Sequence, residues 1–477
     1  MDDLKFTFDV VPEPIYDARP DFLTLYRKAW ELAADHIDDT IPGLPVVRHM
    51  DEACRRDRLW IWDTCFMVHF CKYSPKVFPG IESLDNFYYP MHDGFKSSCL
   101  IHHPDNPPLF AWIEYEYYRF TGDKSRIYRN LVEKKFLQKH YDFLENQCKI
   151  GTVIPNCAIH TAWQKFENGY VWGGNPSGMD NSPRANDQHY MIYWVDAISQ
   201  QALSALYISK LADEIGEEQI SRDYMAKYLE KKEIINKYYF DEEKGYYLDI
   251  EIYNLKPFDV LTPASFWVMM AEAATAERAA RQIKTLTNPM QLGGVVPAPT
   301  VARNNPNFIA DGRYWRGGVW LPTSYMVAKS LEKYGYYDLA ASFSEATVNH
   351  MSKTYQEFFP QTIWECYSPT EHAPAKSKFP VKYSRPDFCG WSALGPISML
   401  IENVLGFHRA DAVSKRLEYH HRPDIGRHGI RNFKFGEVCC DVIVNNSVAE
   451  IVANTNFTFV ADGVEHSCSA GKNIIKL

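Results

Sequence analysis

"NDQHYMIYWVDAISQQALSALYISKLADEIG" occupies residues 186–216, and "SRDYMAKYLEKKEIINKYYF" occupies 221–240. The first stretch reads as a long helix that is apolar on several sides, so it belongs deep in a core. The second is amphipathic and charged, so it lies outside. A buried helix joined to a half-buried one by a short turn is a helical hairpin. The pattern recurs along the chain. "DFLTLYRKAWELAADHI" (21–37) places Phe22, Leu25, Tyr26, Ala29, Trp30 and Ala33 on one face. "PPLFAWIEYEYYRFTGD" (107–123) opens on prolines and closes at Gly122, the usual start and stop of a helix. Further pairs fall at 263–272 with 273–287 and at 317–334 with 336–352, and a last helix runs over 390–405. No fixed-period repeat is visible, which disfavours a TPR or HEAT array. The expected fold is mainly α, an (α/α)6 barrel over residues 1–424 with inner helices buried and outer helices half-buried.

After residue 425 the texture changes to alternating Val, Ile and Phe, with turn signals at Asn445–Asn446, Asp462–Gly463 and Ala470–Gly471. Four or five short strands are expected there. So short a segment buries little by itself. It is therefore read as a small C-terminal β-sheet region, residues 425–477, packed on the helical body.

The formal charge of -9 and the lack of a long Lys/Arg run argue against a nucleic-acid-binding face, so no nucleic-acid partner is expected. No stretch reaches 18 apolar residues, so no membrane span is expected. The N-terminal "MDDLKFTFDVVPEP" is acidic and lacks an apolar h-region. A cytoplasmic chain is expected, or a periplasmic or secreted one if a signal peptide was trimmed. The 11 cysteines contain no C-x-x-C, which removes the common zinc spacing. His69, His102 and His103 match no strong ligand pattern, and Glu371–His372 lacks the first His of a zinc helix. No metal and no cofactor are expected. Aromatic residues reach 14%, with 12 Trp and 30 Tyr. Most belong to a large core. The rest suit a sugar site, because sugar faces lie flat on indole and phenol rings.

Two carboxylates are the candidates for chemistry. Asp180 lies in "GGNPSGMDNSPR" (173–184), and Glu365 lies between Trp364 and Tyr367. Hydrolysis of a glycosidic bond needs two carboxyl groups, and the acid of the pair keeps its proton only if burial or a like charge raises its pKa. Taken alone, Asp180 reads more readily as a turn or cap residue, and Glu365 as a surface or paired carboxylate beside core aromatics. Asp63 reads equally as a helix cap, and Arg316 as part of a core ion pair.

Together the motifs resemble glycoside hydrolase family 63 and its relatives. "SGMDNSPR" (177–184) is similar to the S-G-x-D-N-S-P motif of that family and to the S-G-x-D-x-S-x-R motif of trehalases. "YWRGGVW" (314–320) resembles Y-W-R-G-x-x-W, and "WECYSP" (364–369) resembles E-x-Y-x-P. "WIWDTCFM" (60–67) and "DNPPLFAW" (105–112) resemble the W-D-T/S and S-Q-P-P-x-x-A-W segments. The order along the chain also agrees. The resemblance implies an (α/α)6 barrel and an inverting, exo-acting α-glycosidase. It implies Asp180 as general acid and Glu365 as the general base that activates water. It also implies Trp62 and Asp63 as holders of the non-reducing sugar, with Arg316, Trp320 and Trp391 completing the pocket. Inversion implies carboxyl groups about 6.5–9.5 Å apart.

The chain departs from these patterns at two places. Pro176 stands where trehalases have Glu, and Asp105–Asn106 stand where the family has S-Q. These departures argue against trehalose, and the expected substrate is a short α-glucoside. An α-mannoside, or a mannosyl- or glucosylglycerate, is the alternative. Two further readings stay open: an α/α-barrel lyase or epimerase using a His or Tyr base, and a sugar-binding protein without catalysis.

Overall fold

The computed structural model describes residues 6–52, 55–185 and 191–477. Helices dominate through residue 404, and strands dominate after it. Six helical segments pack in a closed cycle. In chain order they are Ile61–Cys71, Phe110–Thr121, Val195–Glu214, Trp267–Met270, Leu321–Lys333 and the π-type Gly395–Val404. Each packs on the next, and the last returns to the first. Trp267–Met270 continues a 3-10 turn over Pro263–Phe266, and Ser392–Leu394 leads into the last segment in the same way.

The burial pattern follows the sequence. Val195–Glu214 is buried on all sides over most of its length. The neighbouring Glu218–Tyr238 buries only Ser221, Tyr224, Tyr228, Lys231 and Ile235, a single stripe at alternating spacings of three and four. It backs the 195–214 helix from outside. Tyr337–Glu357 backs the 321–333 and 395–404 helices, and Pro20–Asp35 packs on the 395–404 and 337–357 helices. Gly122, at φ 80°, ends the 110–121 helix in the left-handed turn that glycine adopts without strain.

Several helix starts differ from expectation: the prolines at 107–108 precede a helix that begins at Phe110, the helix expected from 273 begins at Ala276, and two differ by more. The deep helix begins at Val195, not near 186, and residues 186–190 lie outside those described. Ile192–Tyr193 instead pair antiparallel with Ile250–Glu251, as suits β-branched and aromatic residues. The helix expected from 317 begins at Leu321, because Gly317 and Gly318 belong to a tight loop and Pro322 occupies the first turn.

Six strands rather than four or five follow residue 425, in two sheets. The first is antiparallel throughout and runs Glu13–Tyr16, His428–Phe435, Val438–Asn445, Val448–Ala453, Gly471–Lys476. The second runs Arg409–Asp411, Arg416–Tyr419, Phe457–Ala461, Val464–Cys468, with 416–419 parallel to 457–461. Val438, Cys440, Val442 and Val444 alternate inward along one strand. The Asp462–Gly463 connection has φ 46° and 83°, the positive pair that a two-residue hairpin turn requires. Among the described residues no helix is long and apolar enough to cross a membrane.

Candidate active site

The N-terminal ends of the 61–71, 321–333 and 392–404 segments converge, and each brings a tryptophan. Trp62 lies in the first turn of its helix, while Trp320 and Trp391 immediately precede theirs. The Trp62 ring lies 6.1 Å from Trp391 and 6.0 Å from Trp315. Trp315 stacks on Trp320 at 4.0 Å, Trp320 also lies 5.5 Å from Trp391, and both Trp315 and Trp320 are buried. The indole Nε1 of Trp391 donates to the Glu365 carbonyl at 3.0 Å. One side of that ring system is thereby fixed to the backbone that carries a candidate carboxylate.

The glycine-rich stretch curls onto this wall. Gly174–Ser177 form one helical turn, and Gly178 takes φ 81°. A Cβ on Gly178 would stand 2.6 Å from the Trp62 ring, and one on Gly174 would stand 2.2 Å from the Asp180 carbonyl oxygen. Glycine at both positions lets the loop fold back on itself and press flat on an indole. Four side chains clamp it. Asn106 Nδ2 donates to the Pro176 carbonyl at 2.7 Å. Asn181 Oδ1 accepts from the Trp315 amide at 2.9 Å. Arg316 Nε donates to the Asn181 carbonyl at 3.0 Å. Buried Arg184 pairs with Asp196 at 2.7 Å and Asp249 at 3.2 Å, with its guanidinium over the Trp194 ring. The departure at Asp105–Asn106 is structural: Asp105 is buried, its Oδ2 accepts from the Ala162 amide, and its neighbour holds the loop.

Three carboxyl groups meet at this end of the cycle. Asp63 is buried, and burial pushes it up to about 7, against a hydrogen bond shared with the carboxyl of buried Glu52. The charges of Asp180 and Glu365 raise it further. Glu365 is raised by burial, opposed by Arg385 and by two donors: the Tyr314 hydroxyl at 2.9 Å to Oε1 and the Arg385 amide at 3.3 Å to Oε2. Asp180 is raised by burial, opposed by Lys378, whose Nζ donates to Oδ2 at 2.7 Å. Its side chain keeps 26% exposure, so it is the most open of the three.

Trp62, Asp63, Asp180, Trp320, Glu365 and Trp391 thus gather at one place, while Arg316 braces the loop backbone. Tyr314, Asn181, Arg184, Glu52 and Lys378 are added by the structure. Three of these lay inside the quoted motifs: Asn181 and Arg184 in "SGMDNSPR" and Tyr314 in "YWRGGVW". Lys378 and Glu52 carry no local signal. Among the described residues no group of three or more His, Cys, Asp and Glu is placed to hold a metal ion.

Comparison with known proteins gives a consistent family. The model of the mannosylglycerate hydrolase MGH1-like glycoside hydrolase domain matches residues 102–384, a range that includes both Asp180 and Glu365. An uncharacterized protein of Borreliella burgdorferi is 27% identical over 413 residues, covering 82% of this chain and 81% of its own length. A mannosylglycerate hydrolase of Rubrobacter radiotolerans is 29% identical over 160 residues, 32% of this chain and 36% of that protein. The chain therefore matches only about a third of that curated hydrolase. The solved structure of the GH63 mannosylglycerate hydrolase of Thermus thermophilus in complex with Tris is 17% identical. It aligns with a TM-score of 0.57 over 78% of this chain and 99% of that one. The chain is GH63-like and belongs to the family of the mannosylglycerate hydrolase MGH1-like glycoside hydrolase domain.

Proposed function

We propose that this glycoside hydrolase is an inverting, exo-acting α-glycosidase. The closed helix cycle supports reading the body (1–424) as an (α/α)6 barrel, with residues 425–477 as a C-terminal β unit. The observation that carries the proposal is the convergence of Asp180 and Glu365 beside Trp62 and Trp391. The two carboxylates come from distant loops; the charge of Asp180 raises Glu365, and Asp63 feels the charge of both.

In the proposed reaction Asp180 gives its proton to the glycosidic oxygen as the C–O bond breaks. Glu365 takes a proton from a water that attacks the anomeric carbon from the opposite face, and a β-sugar leaves. Its two hydrogen-bond donors favour the carboxylate that a base must be. Trp62 and Trp391 hold the sugar ring, and Asp63 binds its hydroxyls. Arg316 and Trp320 complete the pocket.

A short α-glucoside is the proposed substrate. The second reading is an α-mannoside with a glycerate leaving group, favoured by the description of the family and by the R. radiotolerans relative. An anomer-resolved NMR time course on α-glucosides and α-mannosides, glycerate conjugates included, tests the mechanism and separates the two. Initial β-sugar is expected, and initial α-sugar overturns the proposal. Asp180→Asn lowers turnover by about 10²–10⁴-fold, and near-normal turnover removes Asp180 from the mechanism.

A further inference from the structure

A general acid must carry a proton, yet Asp180 is held by a cation. Lys378 Nζ lies 2.7 Å from Asp180 Oδ2, one of the two oxygens through which the acid could pass its proton. The contact links residues 198 apart, so it is a tertiary choice of the fold and not an accident of local sequence.

Lys378 rides on a hairpin. Tyr367 bridges Pro374, and Lys376 bridges Tyr383, both antiparallel. The Ser377 amide donates to the Lys382 carbonyl, and the Lys382 amide to the Phe379 carbonyl, which closes the tip. The tip projects outward, with Phe379 67% and Val381 84% exposed. The base is fixed: the Lys376 amide donates to Asp311, its carbonyl accepts from Tyr314, and Glu365 and Arg385 pair at the backbone. One hairpin therefore reaches both carboxylates. Its base sets Glu365 through the Arg385 amide, and its tip holds Asp180 through a flexible side chain that is 41% exposed. A long exposed Lys can leave one acceptor for another at little cost, whereas the base cannot move without breaking the Glu365 contacts.

We propose that Lys378 is a positioning residue that keeps Asp180 as a carboxylate while the site is empty. It yields Oδ2 to the leaving-group oxygen when a glycoside enters. The proposal rests on the reading of Asp180 as the general acid. With Lys378 displaced, Asp180 takes a proton from solvent, and that proton later passes to the departing oxygen. The other charged groups facing Asp180 are Asp63 from the 61–71 helix, Glu365 from its loop and Arg385 from the hairpin base. The Tyr314 hydroxyl and, beside Lys378, buried His103 complete the surroundings. Asp63 and Glu365 favour a protonated Asp180, and Arg385 disfavours it but stays in place.

The test compares wild type, Lys378→Met and Lys378→Arg. The Asp180 carboxyl is titrated in the free protein by carbon-13 NMR, with Asp180→Asn as the assignment control. Its midpoint should rise by about one pH unit in Lys378→Met, the effect of removing an adjacent opposite charge, and Lys378→Arg should restore it. In the pH profiles, the alkaline limb of kcat/KM should move up by a similar amount in Lys378→Met. The limb of kcat should stay, because the bound state has already lost the contact. An unmoved midpoint in the free protein overturns the role of Lys378 while leaving Asp180 as acid. Equal movement of both limbs also overturns it, because Lys378 then stays on Asp180 through the reaction. A raised midpoint with neither limb moved overturns the proposal together with the general-acid reading beneath it.

Discussion

Glu365 and Glu402 are equally buried, each 3% exposed, and lie at opposite ends of the helix cycle. Glu402 receives Lys72 Nζ at 2.8 Å and Lys329 Nζ at 3.0 Å, and it accepts from the hydroxyls of Tyr73 and Tyr325. Burial works to raise it, but Lys329 and Lys72 outweigh burial and hold it well below the usual carboxylate range. At Glu365 the charge of Arg385, one hydroxyl and one amide oppose burial, and there burial wins. The same helices serve both ends: the 61–71 helix carries Asp63 in its first turn and leads into Lys72, and the 321–333 helix begins beside Trp320 and carries Lys329 and Lys333 near its end. The far end lines a cavity of about 360 Å³ whose lysines face glutamates. Cations there also suit the negative ends of the converging helices. Glu402 at one end has its buried charge satisfied, and Glu365 at the other does not. Burial alone does not set a carboxylate's protonation; cations in contact oppose it, and two of them outweigh it at Glu402.

Exchanging the two treatments gives the largest effects. Glu365→Gln should lower turnover by about 10²–10⁴-fold with thermal stability unchanged or raised. Glu402→Gln should leave turnover near normal but cost about 3–5 kcal/mol of stability, because Lys72 and Lys329 lose their shared partner. Steady-state kinetics and urea denaturation on both variants check the contrast, and it breaks if Glu402→Gln loses activity without losing stability. A smaller effect is expected from Tyr314→Phe. It removes a donor that favours the Glu365 carboxylate, so the acidic limb of the kcat/KM profile moves to higher pH, and the rate near neutrality falls by about tenfold. An unmoved acidic limb would separate Tyr314 from the protonation of Glu365.

The smallest effect concerns stability against pH. Asp63 is raised from 3.8 to about 7, so its contribution is present below pH 4 and is lost as the pH rises through 7. Glu402 is depressed, so its contribution is present above its unfolded value and is lost as the pH falls through its lower folded value. Denaturation free energies measured from pH 7.5 to 5 should rise on acidification in wild type and rise less in Asp63→Asn. Identical slopes in the two proteins would assign the effect to another group.

Much of this was legible before the structure. The contrast between 186–216 and 221–240 marks an inner and an outer helix, since burial of all faces and burial of one stripe leave different periodicities. The Asp462–Gly463 turn is legible because its backbone demands those residues. Asp180 and Glu365 are legible through the motifs around them. The start of the deep helix is not, because Ile192–Tyr193 take their conformation from a partner strand at 250–251. The same holds for Arg184, which reads as a loop residue until Asp196 and Asp249 surround it. Lys378 is the extreme case: nothing near it in sequence names its partner.

The strand Glu13–Tyr16 edges a sheet whose other members all come from residues 428–476, and Asn432 donates to the carbonyl of Asp9, 423 residues away. During translation the early segment therefore waits for its sheet partner. At 5–20 residues per second the wait is roughly 20–80 s. The 61–71 helix waits almost as long for the 395–404 helix that closes its cycle. The apolar face of the 61–71 helix in a nascent chain is therefore uncovered on that side until the 395–404 helix emerges.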